Sequence, residues 1–192
     1  MMVGVLALQG DFIEHQAVLE KLGVEVRQVR LPAQLDGLSG LIIPGGESTT
    51  IGKLAVEFGL MDPLRAFGKA HAVWGTCAGA IFMSRDIHRS QPLLGLMDIT
   101  VERNAFGRQV DSFETEIPVD FLNNGSHPQA PFHAIFIRAP LIEAVGADAR
   151  VISRLADGRI VAAQQGRLLA TSFHPELTAD DRFHRYFLEL AK

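Results

Sequence analysis

Residues 72–83 read AVWGTCAGAIFM, and this stretch decides the fold class. Ala72-Val73-Trp74 is a short apolar run that predicts a buried strand, and Ala80-Ile81-Phe82-Met83 is compatible with a helix. Between them, Gly75-Thr76-Cys77-Ala78-Gly79 has the spacing of a G-x-S-x-G nucleophile elbow, with cysteine in the serine position. A strand, a sharp turn and a helix in this order predict an α/β fold that presents Cys77 at the carboxyl edge of its sheet.

The flanking sequence extends the alternation of strands and helices. In the first half, the pattern predicts strands over 3–8, 24–29, 40–43 and 72–74, helices over 12–22 and 48–58, and another helix with Pro63 at its first position. In the second half it predicts β segments at 99–102, 113–119, 132–137, 151–155, 160–165 and 168–172, and a helix over 180–190. We therefore expect a single α/β domain over 1–192, with a mostly parallel central sheet, flanking helices and added antiparallel strands.

Composition narrows the classes of function. Apolar residues make up 47% of the 192 residues, which is typical of an ordered globular protein. Lys and Arg total 18 against 22 Asp and Glu, so nucleic acid is not an expected partner. A single cysteine excludes an internal disulfide and a multi-cysteine zinc site. Because no stretch has the pattern of a signal peptide or a membrane span, we expect a cytoplasmic protein with no membrane partner.

The predicted elbow would make Cys77 reactive. Small neighbours let the backbone crowd around the nucleophile, and the unpaired N–H groups at the start of the next helix favour a thiolate and can stabilise an oxyanion. The alternative is that Cys77 is simply a small buried apolar side chain, as free cysteines often are.

A cysteine nucleophile needs a base, and seven histidines are available. His174 follows the apolar run 168–173 and precedes Pro175-Glu176, so it lies where strands of an α/β sheet deliver catalytic groups. In an extended segment, Glu176 would lie on the same side as His174 and could fix its tautomer. Taken alone, His-Pro-Glu is equally compatible with a surface turn. The other histidines are expected to be solvated or to flank the loop-like stretch 123–131: His15, His71, His88, His184, His127 and His133.

A glycine-rich segment, residues 44–50 (PGGESTT), follows the predicted strand 40–43. It is not a P-loop, because five residues separate Gly46 from Gly52 and the residue after Lys53 is leucine. The segment can supply a second oxyanion donor, or it can be a plain strand-to-helix turn.

Taken together, these residues resemble the class I, triad-type glutamine amidotransferases, which have a flavodoxin-like α/β fold and pair a Gly-x-Cys-x-Gly elbow with a distal His-x-Glu. Within that superfamily the chain resembles, over nearly its whole length, the glutaminase subunits of pyridoxal 5′-phosphate synthase. The resemblance is carried by residues 6–15 (LALQGDFIEH), 44–50 (PGGESTT), 102–109 (ERNAFGRQ), 136–140 (FIRAP) and 172–178 (SFHPELT). One departure is 123–131, which is longer than the family pattern and contains none of these motifs.

The resemblance implies a role for each matched residue. Cys77 would be the nucleophile, His174 the base and Glu176 its orienting carboxylate. The oxyanion hole would be formed at Gly46 and Ala78. The glutamine site would comprise Gly46, Glu47, Ser48, Arg103, Ile137 and Arg138. Chemistry supports the arginines, since a guanidinium binds an α-carboxylate bidentately, although a solvated salt bridge is the commoner fate of a single arginine.

The resemblance also implies how the chain works with others. L-glutamine would be hydrolysed to glutamate and ammonia without a cofactor or a metal. The ammonia would pass to a (β/α)8 synthase subunit in a large ring-shaped hetero-oligomer. The glutaminase would be nearly silent until docked, and Gln9 would belong to the contact that orders the oxyanion loop.

Three other functions fit the same residues. The chain could supply ammonia to another acceptor, such as imidazole glycerol phosphate synthase. It could be a cysteine peptidase of similar architecture. It could also be a non-catalytic chaperone-like or redox protein, although such a protein would not need His174 and Glu176 beside its thiol.

Overall fold

In the first half of the chain, strands alternate with helices, and in the second half most elements are strands, as the sequence pattern predicts. The computed structural model describes residues 1–103, 112–122 and 130–192. The strands are β1 (Met2–Leu6), β2 (Glu25–Val29), β3 (Gly40–Ile43), β4 (Ala72–Thr76), β5 (Ser84–Asp86), β6 (Met97–Glu102), β7 (Ser112–Ile117), β8 (Phe132–Ile137), β9 (Leu141–Val145), β10 (Arg150–Arg154), β11 (Ile160–Gln165) and β12 (Leu168–Thr171). The helices are α1 (Phe12–Lys21), α2 (Ser48–Glu57), α3 (Met61–Ala70), α4 (Ala78–Met83) and α5 (Arg182–Leu190).

The strands in the described parts of the chain form one large sheet and one small one. The large sheet has the order β2-β1-β3-β4-β12-β11-β9-β6-β5, and β10 pairs with β11. Neighbouring strands from β2 to β12 run parallel, as connections through helices require, whereas β11 runs antiparallel to β12 and to β9. β7 and β8 form a separate antiparallel pair.

Both faces of the parallel region are buried, because successive strand residues point to opposite faces. Leu41 and Ile43 belong to one core, together with residues of α2, α3 and α4. Ile42 and Trp74 belong to the other core, which includes residues of α1, α5 and the small sheet. The result is a three-layer α/β/α arrangement.

The loops that follow β1, β3, β4 and β12 meet at the carboxyl edge of the sheet, where α/β folds place their sites. Two of these loops are tied together: Asp11 N–H donates to the carbonyl oxygen of Gly45 at 3.1 Å. Gly10 has φ +99°, and a Cβ at this position would overlap that carbonyl. Glycine is therefore required at Gly10 both for its backbone conformation and for the close approach of the two loops.

The expected α/β architecture is confirmed, with two omissions and one correction. The sequence pattern did not predict β5 or β9, which are short or irregularly patterned. Pro63 is the third residue of α3 rather than its first. The last β segment of the second half, β12, pairs in parallel with β4 and extends the parallel sheet. Two stretches discussed above, 104–109 and 123–129, lie outside the described residues.

No helix within the described parts of the chain has both the length and the apolarity needed to span a membrane.

Candidate active site

Cys77 occupies the sharp turn between β4 and α4. Its backbone has φ 48° and ψ −106°, a conformation that non-glycine residues rarely adopt and that costs on the order of 1–3 kcal/mol. Its N–H donates to the carbonyl oxygen of Thr171 on β12 at 2.8 Å, which fixes the turn to the neighbouring strand. The residue is buried, with 6% of its surface exposed. A strained, anchored cysteine at a sheet edge has the geometry of a nucleophile elbow.

The two glycines of the elbow are required by packing. A Cβ at Gly79 would overlap the carbonyl oxygen of Ile43, at the end of β3. A Cβ at Gly75 would lie 2.6 Å from the carbonyl oxygen of Gly79. The start of α4 can approach β3 and β4 this closely only because both positions lack side chains, as the sequence pattern predicts.

His174 follows β12 and is held from two directions. Its N–H donates to the carbonyl oxygen of Ile135 on β8 at 2.9 Å. Its Nδ1 lies 2.7 Å from Oε1 of Glu176, which is itself buried. The predicted pairing is therefore present, but the backbone is not extended there: Pro175–Leu177 form a 3₁₀ turn, and proline occupies its first position. The turn, rather than strand periodicity, brings the carboxylate back to the imidazole.

The electrostatics of this cluster favour a charged imidazole. Burial alone would lower the pKa of His174, but hydrogen bonds and charge interactions with Cys77 and Glu176 raise it to about 10. Burial raises the pKa of Glu176, and the hydrogen bond and charge of His174 oppose that shift. The cluster can thus hold a proton on His174 between a sulfur and a carboxylate, which is the arrangement that proton transfer to a leaving group needs.

Asp11 is a second carboxylate near the same imidazole. Its Oδ2 lies 3.5 Å from Nδ1 of His174, and its side chain is 39% exposed. Asp11, His174 and Glu176 bring three potential metal-ligand atoms within 4.8 Å of one another. Because Nδ1 is already paired with Glu176 at 2.7 Å, Asp11 acts here as an additional negative charge beside the histidine.

The loop between β3 and α2 borders the triad. Gly46 has φ +148° and approaches Gly10, so that a Cβ would lie 3.0 Å from the Cα of Gly10. The next N–H, that of Glu47, donates to Oε1 of Gln9 at 2.7 Å. Gln9 therefore contacts the predicted oxyanion loop within the chain itself. The other predicted oxyanion residue, Ala78, is the buried first residue of α4.

Glu47 caps α2 and binds Arg103. Its carboxylate accepts hydrogen bonds from the N–H groups of Thr49 and Thr50 and from the Thr50 hydroxyl. Burial works in the opposite direction, but these bonds lower the pKa of Glu47 to about 2. Arg103 Nη2 donates to Oε1 of Glu47 at 3.0 Å. The guanidinium is thus held over the N-terminus of α2, beside the glycine-rich loop.

The remaining predicted binding residues lie around this region. Ser48 is buried, and its hydroxyl accepts from Nε2 of Gln91 at 3.3 Å. Arg103 Nη1 also donates to Oε1 of Gln91, at 3.1 Å. Ile137 ends β8 on an exposed position, and Arg138 follows it with φ +42°. Their strand reaches the triad through Ile135, the acceptor of the His174 N–H.

Sequence reasoning was wrong about two histidines. His15 and His184 were expected to be solvated, but both are fully buried. His15 shares the buried face of α1 with Leu19, four residues later. His184 lies on α5 beside the buried Phe183. The apolar helical periodicity around each residue was the signal that could have identified them.

Comparisons with known proteins identify the family. A sequence model described as "SNO glutamine amidotransferase family" matches residues 5–192. The chain is 58% identical to "Pyridoxal 5′-phosphate synthase subunit PdxT" of Herpetosiphon aurantiacus, over 99% of this chain and 100% of that protein. It is also 58% identical to the protein of the same name from Deinococcus radiodurans, over 100% of this chain and 97% of that protein.

Solved structures give the same result. A structure described as "Crystal structure of glutamine amidotransferase" superposes with a TM-score of 0.91 at 52% identity, covering 98% of each chain. A chain of the structure described as "Structure of PurLQS from Thermotoga maritima" superposes with a TM-score of 0.72 at 16% identity, over 100% of this chain and 98% of that one. The second likeness concerns the fold alone.

Proposed function

The chain belongs to the SNO glutamine amidotransferase family, and we propose that it hydrolyses L-glutamine to L-glutamate and ammonia for a pyridoxal 5′-phosphate synthase. Cys77 is the nucleophile, His174 moves the proton and Glu176 orients His174. The observation that carries this proposal is the 2.7 Å contact between Nδ1 of His174 and Oε1 of Glu176, beside a cysteine in a strained elbow. That contact leaves Nε2 of the imidazole as the nitrogen available to the sulfur.

The first half of the reaction forms a thioester. The sulfur of Cys77, its proton held by His174, attacks the side-chain amide carbon of glutamine, and the carbonyl electrons move onto oxygen. The backbone N–H groups at Gly46 and Ala78 stabilise that oxyanion. When the intermediate collapses, the imidazolium of His174 gives its proton to the amide nitrogen. The C–N bond breaks, and ammonia leaves.

The second half releases glutamate. Neutral His174 takes a proton from water, whose oxygen attacks the thioester carbon, and the sulfur of Cys77 leaves as a thiolate. Glu176 stays ionised and hydrogen-bonded to Nδ1, so it stabilises the imidazolium each time this forms. The same histidine thereby acts as acid in one half and as base in the other.

We assign glutamine binding to residues of the loops around the triad. Gly46 and Glu47 lead into α2, which begins at Ser48, and Arg103 is held at this end of the helix by its bond to Glu47. Ile137 and Arg138 border the opposite side, at the end of β8. An exposed guanidinium can bind the α-carboxylate of a free amino acid, and the ionised Glu47 is suited to its ammonium group.

The partner follows from the names of the relatives, which are subunits of pyridoxal 5′-phosphate synthase. We propose that ammonia passes to a (β/α)8 synthase subunit within a ring-shaped hetero-oligomer. Gln9 belongs to the surface that contacts the synthase subunit. Its side chain also accepts the N–H of Glu47 at 2.7 Å, which connects that surface to the oxyanion loop. A partner that moves Gln9 would thereby move the oxyanion loop. A reducing compartment, the cytoplasm, suits a free catalytic thiol.

The experiment is a glutamine hydrolysis assay on the chain alone and with the synthase subunit. We expect weak hydrolysis alone and strong stimulation by the partner, and no measurable hydrolysis by Cys77→Ala in either state. Brief acid quenching of the wild-type complex with glutamine should show one added glutamyl group on Cys77 by mass spectrometry. Full activity of Cys77→Ala, or hydrolysis of peptides in place of free glutamine, would overturn the proposal.

A further inference from the structure

Two buried histidines lie behind the proposed triad, and the reaction described above does not use them. His15 on α1 and His184 on α5 are each 0% exposed. Nδ1 of His15 lies 3.0 Å from Nε2 of His184. The other ring nitrogen of His15, Nε2, lies 3.3 Å from Oε2 of Glu176 and 3.1 Å from the hydroxyl of Thr76. The two buried imidazoles thus extend the series of neighbouring groups that runs from Cys77 through His174 to Glu176.

The carboxylate of Glu176 is asymmetric. Oε1 faces Nδ1 of His174 at 2.7 Å, whereas Oε2 is buried and receives no well-aligned hydrogen bond from any described residue. An unsatisfied buried carboxylate oxygen costs free energy, so a proton on the nearby Nε2 of His15 adds to the stabilisation that His174 gives the ionised form. Only a proton on that nitrogen can help the carboxylate.

The contacts favour one tautomer of His15. If Nε2 carries the proton, it donates to the hydroxyl of Thr76, and the same N–H group lies beside Oε2 of Glu176, which is 3.3 Å from Nε2. Nδ1 then accepts from Nε2–H of His184. Nδ1 of His184, which has no hydrogen-bond partner among the described residues, is then a bare acceptor. In the opposite tautomer, His184 would bury an unpaired N–H, and His15 would turn a lone pair toward the carboxylate. Buried orphan donors are the rarer defect.

We propose that His15 is a positioning residue: its neutral Nε2–H group holds Oε2 of Glu176, so that Oε1 stays directed at His174. This rests on the proposed function. His184 fixes the tautomer by donating to Nδ1 of His15. Neither histidine touches the substrate; both act through Glu176.

The charges around the pair are consistent with neutral histidines. Burial, with the charges of His184 and His174, keeps the pKa of His15 well below its usual value. Burial lowers the pKa of His184 to about 4, against a small opposing effect of Asp181. Across Glu176 stand His174 and Asp11, the latter raising the carboxyl pKa further. Both buried rings make T-shaped contacts with Trp74.

The direct test reads the tautomer on the full-length wild-type chain. Long-range ¹⁵N–¹H spectra of histidine-labelled protein should show His15 neutral between pH 6 and 8, protonated on Nε2 and unprotonated on Nδ1. A proton on Nδ1, or a charged ring, would overturn the proposal. This measurement needs no activity and no variant that has to fold.

The functional test compares His15→Leu, which removes the donor, with His15→Gln, which restores an N–H near the position of Nε2. In the complex with the synthase subunit, His15→Leu should lower kcat about 10- to 100-fold and leave KM nearly unchanged. The size of this effect is taken by analogy from the loss of groups that orient metal-binding side chains. Because the carboxylate of Glu176 loses a donor, the acid limb of the pH profile should move to higher pH. His15→Gln should recover most of kcat and the original profile.

The matched control is His88→Gln, which makes the same change at a histidine whose side chain is 57% exposed. It should leave kcat and the acid limb unchanged. A purely structural role for His15 would lower the folded fraction without moving the acid limb. An unshifted limb in folded His15→Leu, or a failure of His15→Gln to rescue, would contradict the positioning role.

A separate readout keeps this proposal distinct from the proposed function. The rate of alkylation of Cys77 by iodoacetamide against pH reports the sulfur and His174 without glutamine or partner. The His15→Leu variant should need a higher pH than the wild-type chain to reach the same rate of alkylation, whereas His15→Gln should match the wild-type chain. If the wild-type complex hydrolysed no glutamine, the proposed function would fail, while the tautomer and the alkylation profile would still decide the role of His15.

Discussion

Gly45 leaves the space that the imidazole of His174 occupies. A Cβ at Gly45 would lie 3.0 Å from Nδ1 of that ring and would overlap Cε1. The ring cannot easily retreat, since it is buried and its Nδ1 is paired with Glu176 at 2.7 Å. The absence of a side chain at Gly45 therefore sets the position of the proposed base.

Gly45→Ala should displace His174 and lower kcat for glutamine by about 10²-fold, the effect of misplacing a catalytic group by about 1 Å. Steady-state kinetics of the complex measure this, and circular dichroism verifies the fold. Gly59→Asn is a suitable control, because Gly59 has φ +66° and open space around it, and asparagine tolerates that conformation. Normal kinetics in Gly45→Ala would show that the ring can move without cost.

The two carboxylates near His174 should differ in importance. Glu176→Gln keeps the shape but loses the charge and favours the wrong tautomer, so we expect kcat to fall by about 10²- to 10⁴-fold, by analogy with the carboxylate of serine protease triads. Asp11→Asn should cost much less, since Asp11 is partly exposed and lies at 3.5 Å rather than 2.7 Å. Steady-state kinetics of the two variants, each assayed with the same synthase subunit, test whether Glu176 matters more than Asp11. Equal losses would show that the two carboxylates share the role.

The pKa of His174 should depend on Cys77. In the wild-type chain, interactions with Cys77 and Glu176 raise it to about 10 against the effect of burial. Cys77→Ala removes the contribution of the sulfur, so less opposes the effect of burial and the pKa of His174 should fall. NMR titration of the His174 ring in both proteins measures the difference. An unchanged value would show that the sulfur does not interact with the ring.

The sequence predicted those parts of the fold and site that depend on local pattern. The strand, turn and helix around Cys77 follow from one apolar run and two glycines, and the parallel order follows from alternating elements. The short strand β5 and the irregular strand β9 escaped prediction because their pairing is set by partners distant in sequence.

The site was predictable to the same extent. His174 and Glu176 are neighbours in sequence, so their pairing could be inferred even though the assumed backbone was wrong. The contact between His15 and Glu176 spans 161 positions of the chain and joins α1 to the turn after β12. No local pattern encodes such a contact, because it forms only when α1 packs against the turn that follows β12.

Glu47 should matter for stability as well as for binding. Its carboxylate caps α2 through Thr49 and Thr50, and loss of a cap costs about 1 kcal/mol. Glu47→Ala should therefore lower Tm by about 2–4 °C for a chain of this size. It should also raise KM for glutamine, because Arg103 loses its carboxylate partner and keeps only its bonds to Thr49 and Gln91 among the described residues. Thr50→Val, which keeps the cap from the backbone N–H but loses the hydroxyl, should have a smaller effect on Tm. Calorimetry and kinetics separate the two roles, and an unchanged Tm would contradict capping.

The buried histidine pair should make the fold sensitive to mild acid. Burial lowers the pKa of His184 to about 4, below its value near 6.5 in the unfolded chain. Between these two pH values, the unfolded state binds a proton that the folded state does not. The stability contributed by neutral, buried His184 is therefore complete above about pH 6.5 and is lost as pH falls toward 4. The slope is about 1.4 kcal/mol per pH unit for each such histidine.

Urea unfolding at several pH values should show this loss, and His184→Leu should reduce the slope. His88→Gln should not reduce it, because Glu143 raises the pKa of exposed His88 and its linkage has the opposite sign. A wild-type free energy of unfolding that stays constant from pH 7 to 4.5 would show that the pair is not buried in the neutral form.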